Sequence, residues 1–69
     1  MTARLYLKSG LNIAVQNLKV IKKPGSGDGL VEEIKDFSSF FLYAGKYSFV
    51  GDTIVSVDGN DLLLVSFED

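Results

Sequence analysis

Apolar and polar side chains alternate strictly at the start of the chain. Over residues 3–8, Ala3, Leu5 and Leu7 fall on one side of an extended backbone and Arg4, Tyr6 and Lys8 on the other, the pattern of a half-buried strand. Ser9-Gly10 follows as a tight turn in which Gly10 supplies a positive φ. Leu11, Ile13 and Val15 then continue the apolar face against Asn12, Ala14 and Gln16, so the opening predicts a β-hairpin. Beyond Gln16 the parity reverses. Apolar residues stand at odd positions up to Val15, then at the even positions Leu18 and Val20, and Ile21 breaks the alternation. A side-chain period of two cannot change face without an extra residue or a bend. Asn17 is therefore the expected place of a bulge or kink that lets one long strand serve two sheets. The alternative is two short strands meeting at a turn near Gln16-Asn17.

Lys22 to Gly29 contains the only proline, three of the seven glycines and no apolar side chain, which marks a loop. Residues 30–37 admit two readings. Leu30, Ile34 and Phe37 have helical spacing, Asp28 suits an N-cap, and Glu32 and Glu33 suit a first turn, so a short helix is expected. A strand returning from the loop would instead set the two glutamates beside Lys22 and Lys23. A longer helix to Ala44, with Gly45 as its C-cap, is opposed by the strand preference of Phe40-Phe41-Leu42-Tyr43.

Phe40–Tyr43 and Lys46–Val50 read as strands around Ala44-Gly45. Gly51-Asp52 is a turn, Thr53–Val57 a β-branched strand, and Asp58-Gly59-Asn60 a hairpin turn whose residues tolerate positive φ. The closing strand, Asp61–Phe67, holds an unbroken apolar run from Leu62 to Val65. Such a run is expected where both faces of a strand are covered, and in so short a chain the second cover falls to another subunit. The sum is a mainly β fold: one domain over residues 1–69, a small barrel or sandwich of five or six antiparallel strands, with one short helix near residues 30–37.

Composition adds a constraint. A chain of 69 residues lies near the lower limit for folding on one core, and neither cysteine nor histidine is present. Disulfides and a structural zinc site are thereby removed, leaving a dense core or self-association. Six of the eight aromatic residues fall between Phe37 and Phe49, and that ring surface requires cover. The lack of cysteine suits a reducing cytoplasm. MTARLYLKSG has no apolar stretch of the kind a secretory leader needs, and no run reaches membrane-spanning length. A cytoplasmic protein without membrane contact is expected.

The same absences restrict the chemistry. Without histidine or cysteine there is no Ser–His or Cys–His nucleophile pair and no soft-metal ligand set. The carboxylates sit in turns or beside lysines, so neither an enzyme nor a cofactor is expected. Lys22 and Lys23 precede the glycines of their loop, whereas a phosphate-binding loop places its lysine after them. Asp58-Gly59-Asn60-Asp61 departs from the calcium-loop pattern at Leu62, so no metal is expected either.

What remains is recognition. Tyr43 and Tyr47 beside Lys46, Tyr6 between Arg4 and Lys8, and the apolar Leu62 and Leu64 form the candidate interaction surface. A protein partner, or a second copy of the chain, is its expected occupant. The net charge of −2 disfavours nucleic acid, whose binding is dominated by phosphate neutralisation. The alternatives are a small nucleic-acid-binding barrel and an inhibitor or accessory subunit acting through Pro24–Gly29.

The opening LYLKSG with its alternating continuation, the later Tyr47-Ser48-Phe49-Val50-Gly51, and the terminal LLLVSFE resemble small uncharacterised proteins of Gram-positive bacteria and their prophages, which implies a bacterial or phage origin. Over residues 3–22 the strand, the Ser-Gly turn and the bent second strand are also similar to the first hairpin of Sm-like and SH3-like barrels. The second Sm motif is missing, with Gly51-Asp52 in its place, so no RNA-binding residue carries over.

Overall fold

The computed structural model describes residues 1–24 and 30–69. The expected loop tip, the Asp28 cap and most of the Pro24–Gly29 segment lie outside the described residues. The fold is mainly β. Among the described residues seven strands run in chain order: β1 (Thr2–Leu7), β2 (Asn12–Val15), β3 (Val20–Pro24), β4 (Val31–Ile34), β5 (Lys46–Val50), β6 (Ile54–Asp58) and β7 (Leu62–Glu68), with short 3-10 turns at Phe37–Ser39 and Gly59–Asp61. They form two antiparallel sheets, one ordered β2-β1-β7 and the other β4-β3-β5-β6.

The first hairpin forms as its alternation dictates. Ala3 lies between Val15 and Phe67, and Leu5 between Ile13 and Val65. Gly10 takes a φ of 99° in the connecting turn. The second sheet faces this one with Ile21, Phe49 and Val55 in one cross-strand row and Tyr47 opposite Val57 in the next. One cluster drawn from both sheets fills the space between them: Ala3, Leu5, Val15, Leu18, Ile21, Tyr47, Phe49 and Leu62.

The parity change is resolved by a turn between two short strands. Asn17 adopts a φ of 53°, a left-handed conformation that asparagine tolerates better than most residues. Its side-chain amide donates to Asp52 Oδ2 at 2.8 Å, and the Asp52 N–H donates to the Gln16 carbonyl at 2.9 Å. The chain leaves one sheet at Val15 and enters the other at Val20.

The expected helix near residues 30–37 is not formed; Val31–Ile34 is a strand. Its register sets Glu33 opposite Lys22 and Glu32 opposite Lys23, with ammonium–carboxylate distances of 3.9 and 3.4 Å. Ile34 lies opposite Ile21 and packs on the core, while Leu30 and Val31 stay exposed. A helix this short is marginal by itself, whereas β3 offers a ladder, a core contact and two charge pairs at once.

The expected hairpin from Phe40 to Val50 is also absent. Both edges of β5 are already occupied, by β3 and β6, so Phe40–Tyr43 cannot pair with it. That segment instead crosses the end of the core. Asp36 accepts the Ser38 N–H at 3.2 Å and its hydroxyl at 2.6 Å, turning the chain so that Phe37 stacks on Phe67 with centroids 5.4 Å apart. Phe40 then meets Tyr47, Phe49 and Phe67 edge-on at 5.6, 6.3 and 5.7 Å.

The leucine run needs the same correction. Leu62 pairs with Leu7 and Leu64 with Tyr6, so Leu63 is the extra residue of a bulge. The run lacks alternation because of that inserted residue, not because the strand is covered on both faces. Leu62 and Val65 turn toward the core, and β7 is an edge strand.

Asp58-Gly59-Asn60 also has a different role from a simple hairpin turn, since β6 and β7 belong to different sheets. Asp58 accepts the Asn60 N–H at 2.8 Å. Gly59 is buried and does not have positive φ. It is required by close approach: a Cβ there would run into the Tyr43 carbonyl and come within 3.0 Å of the Tyr47 ring. The two glycines therefore serve different needs, which unfolding experiments separate. Gly10→Ala should cost about 1 kcal/mol through left-handed strain alone. Gly59→Ala should cost about 2–3 kcal/mol, because backbone rather than a flexible side chain occupies the space. Equal urea midpoints for the two variants would contradict this account.

Candidate interaction surfaces

The six residues singled out by the sequence divide between core and surface. Tyr47 is 3% exposed and Leu62 is 3% exposed, so both are core residues and neither can contact a partner. Tyr47 turns inward because it shares the parity of Phe49 in β5 and lies opposite Val57. Leu62 is turned inward by its pairing with Leu7 ahead of the bulge. Tyr6, Leu64, Tyr43 and Lys46 remain at the surface, in two groups.

The first group lies on the outer side of the three-stranded sheet. Tyr6 is half-buried and stands directly opposite Leu64, which is 47% exposed, and the bulged Leu63 beside it is 63% exposed. Arg4, two residues along the same strand, reaches Glu68 with Nε 3.4 Å and Nη2 3.5 Å from its carboxylate oxygens. That pair is surface-exposed and contributes little to stability, but it closes one end of the apolar strip with a balanced charge pair.

The second group is the segment that crosses the end of the core. Phe40 and Leu42 pack inward, while Phe41 and Tyr43 point to solvent, 68% and 63% exposed. The Tyr43 N–H donates to the buried Tyr47 hydroxyl at 3.0 Å, and the Gly59 N–H donates to the Gly45 carbonyl at 2.6 Å. Tyr43-Ala44-Gly45 is thus anchored at both ends. A shallow cavity of about 300 Å³ opens between this strap and the end of β3, lined by Lys23, Pro24, Tyr43, Gly45, Lys46 and Tyr47.

Sequence reasoning missed Phe41 and Leu63. Phe41 was legible from the period of two within Phe40-Phe41-Leu42-Tyr43 once one ring was assigned inward. Leu63 carried no such signal, since a bulge leaves no mark in a run of three leucines. Among the described residues no three acidic side chains gather to hold a metal ion, and no helix is long and apolar enough to cross a membrane. No protein-family model, curated protein or solved structure matches the chain.

Tyr43 of the strap and Tyr47 of β5 should respond unequally to substitution. Tyr47→Phe removes the acceptor of the Tyr43 N–H and should cost about 1 kcal/mol in chemical denaturation. Tyr43→Ser, at an exposed ring, should stay within about 0.5 kcal/mol of the parent chain.

Proposed function

We propose that the chain is a non-enzymatic protein-interaction module that associates with itself through the outer side of its three-stranded sheet. The observation that carries this reading is the strip formed by Leu63, Leu64 and the opposing Tyr6. A single exposed leucine is ordinary on a protein surface. Two in succession facing a tyrosine on the neighbouring strand make a continuous apolar patch, the feature that marks contact sites.

Scale favours a face over an edge. A specific interface takes about 800 Å² from each partner, roughly a sixth of the 4554 Å² surface of this chain. A broad sheet face can supply that area and a single strand edge cannot. The β7 edge is also guarded by its bulge and by Glu68, two features that discourage open-ended strand addition. Face-to-face contact about a two-fold axis closes on itself and supplies extra burial to a small domain that has neither cysteine nor histidine for a staple. The absence of cysteine fits a reducing cytoplasm as its place of work.

A nucleic-acid role is less well supported. Of the residues it would use, Tyr47 lies in the core and Arg4 is held by Glu68.

Sedimentation equilibrium tests the proposal. The parent chain should form dimers at high micromolar concentration. Leu64→Lys should sediment as a folded monomer, because the lost apolar burial occurs twice per dimer and amounts to about 2–3 kcal/mol. A strict monomer for the parent chain at that concentration would end the self-association reading.

A further inference from the structure

The strap at the end of the core carries features that the self-association surface does not use. Phe40 is extended, with φ −75° and ψ 129°, and the side chains from Phe40 to Tyr43 alternate inward and outward as in a strand. Yet the segment belongs to neither sheet. Among the described residues no hydrogen bond engages the backbone of Phe41 or Leu42. Two exposed rings thus flank unpaired main-chain donors and acceptors, and the anchors at Tyr43 and Gly45 hold the end of the segment in place. Such pre-ordering reduces what a partner must spend in entropy to bind.

The charge around the strap is uneven. Lys23 and Lys46 line the cavity beside Tyr43, and among the described residues no acidic residue does. Lys23 already pairs with Glu32. Among the described residues Lys46 has no ion pair: its cross-strand neighbour is Asp58, whose carboxylate accepts the Asn60 N–H instead. A second cavity of about 340 Å³ shares Lys23 and Tyr43 and is bordered by Phe41, Lys35 and Asp36; there Glu32 and Glu33 are bound to Lys23 and Lys22, and Asp36 accepts from Ser38.

We infer that Phe40–Tyr43 is a docking site for an extended, carboxylate-bearing peptide segment of a partner protein. Its backbone pairs with the N–H and C=O of Leu42, on the edge opposite to that where the Tyr43 N–H meets Tyr47, its apolar side chains lie against Phe41 and Tyr43, and an acidic side chain meets Lys46. Main-chain pairing of this kind supplies affinity while alternate side chains supply selectivity. Lys46, without an ion pair among the described residues, sets the sign of the charge it receives, and an extended main chain is what engages the N–H and the C=O of one residue together. This surface is separate from the Tyr6–Leu64 strip and stands whether or not the chain self-associates.

The test is an amide NMR titration of the isotopically labelled full chain with two short blocked peptides, one alternating glutamate with valine and the other lysine with valine. The glutamate peptide should produce saturable shifts at the Phe41, Leu42, Tyr43 and Lys46 amides, and slower hydrogen exchange at Leu42. The lysine peptide should bind about fivefold more weakly or less, the scale of one exposed ion pair. Lys46→Glu should reverse that preference, and Phe41→Ser with Tyr43→Ser should abolish the shifts in a chain that remains folded. Leu64→Lys should bind the glutamate peptide as the parent does, which separates this site from the dimer contact. No shifts with either peptide, equal shifts with both, or shifts centred on Tyr6 and Leu64 would overturn the inference.

Discussion

One side chain joins the parts of this molecule that the backbone leaves separate. Phe40 belongs to neither sheet, yet its ring meets Phe67 of the three-stranded sheet and Tyr47 and Phe49 of the four-stranded sheet edge-on. Edge-to-face contacts of this kind each add about 0.5–1.5 kcal/mol beyond the burial of the rings. They also fix the path of the chain between β4 and β5. Because Phe40 is held there, Leu42 follows it inward, Phe41 and Tyr43 are turned outward, and the Tyr43 N–H comes within reach of the Tyr47 hydroxyl. The approach of Gly59 to the strap, with no room for a Cβ, follows from the same placement. Both the core and the outer aromatic surface thus depend on the filling of one end of the space between the sheets.

Local rules succeeded where the deciding interactions were local. The opening hairpin was legible because its period of two is unbroken and because Gly10 lies where a positive φ is needed. The corner near Asn17 was legible as a change of parity, though the same signal served a bulged long strand and a turn equally well. What selected the turn is a contact remote in sequence, the pairing of Gln16 and Asn17 with Asp52. The strand over Val31–Ile34 was obscured for a similar reason. Leu30, Ile34 and Phe37 do repeat at helical spacing, but the ladder to β3 and the packing of Ile34 against its buried face outweigh a helix too short to support itself. Phe40–Tyr43 has the intrinsic preference of a strand. It is not one because distant segments had already occupied both sides of β5, which no window around residue 40 reveals.

Surface residues were legible to the degree that parity was. Tyr43 and Lys46 lie outside, as their grouping in the sequence suggests, but what holds them there is the anchoring of the strap from below. Tyr47 does not lie with them, and its spacing from Phe49 already puts the two on one face of β5. Leu62 and Leu64 differ in exposure despite sharing parity, since the inserted Leu63 shifts the register between them. A bulge of this kind is written in the ladder rather than in the side chains.

The leftover apolar surface follows from geometry. Two sheets of three and four short strands enclose a narrow space, and the rings of Phe37, Phe40, Tyr47, Phe49 and Phe67 take up much of it. Leu63, Leu64, Phe41 and Tyr43 find no room inside. Had they been scattered singly, they would carry no message. Instead they occur as two organised groups, one a strip across paired strands and the other an alternating segment with unpaired backbone. The first is blunted at its edge by a bulge and a carboxylate, so it offers a face rather than an open ladder. The second offers main-chain hydrogen bonding beside a lysine that has no ion pair among the described residues. The two surfaces therefore present different chemistry, so the proposed self-contact and the proposed peptide contact would not compete for one site.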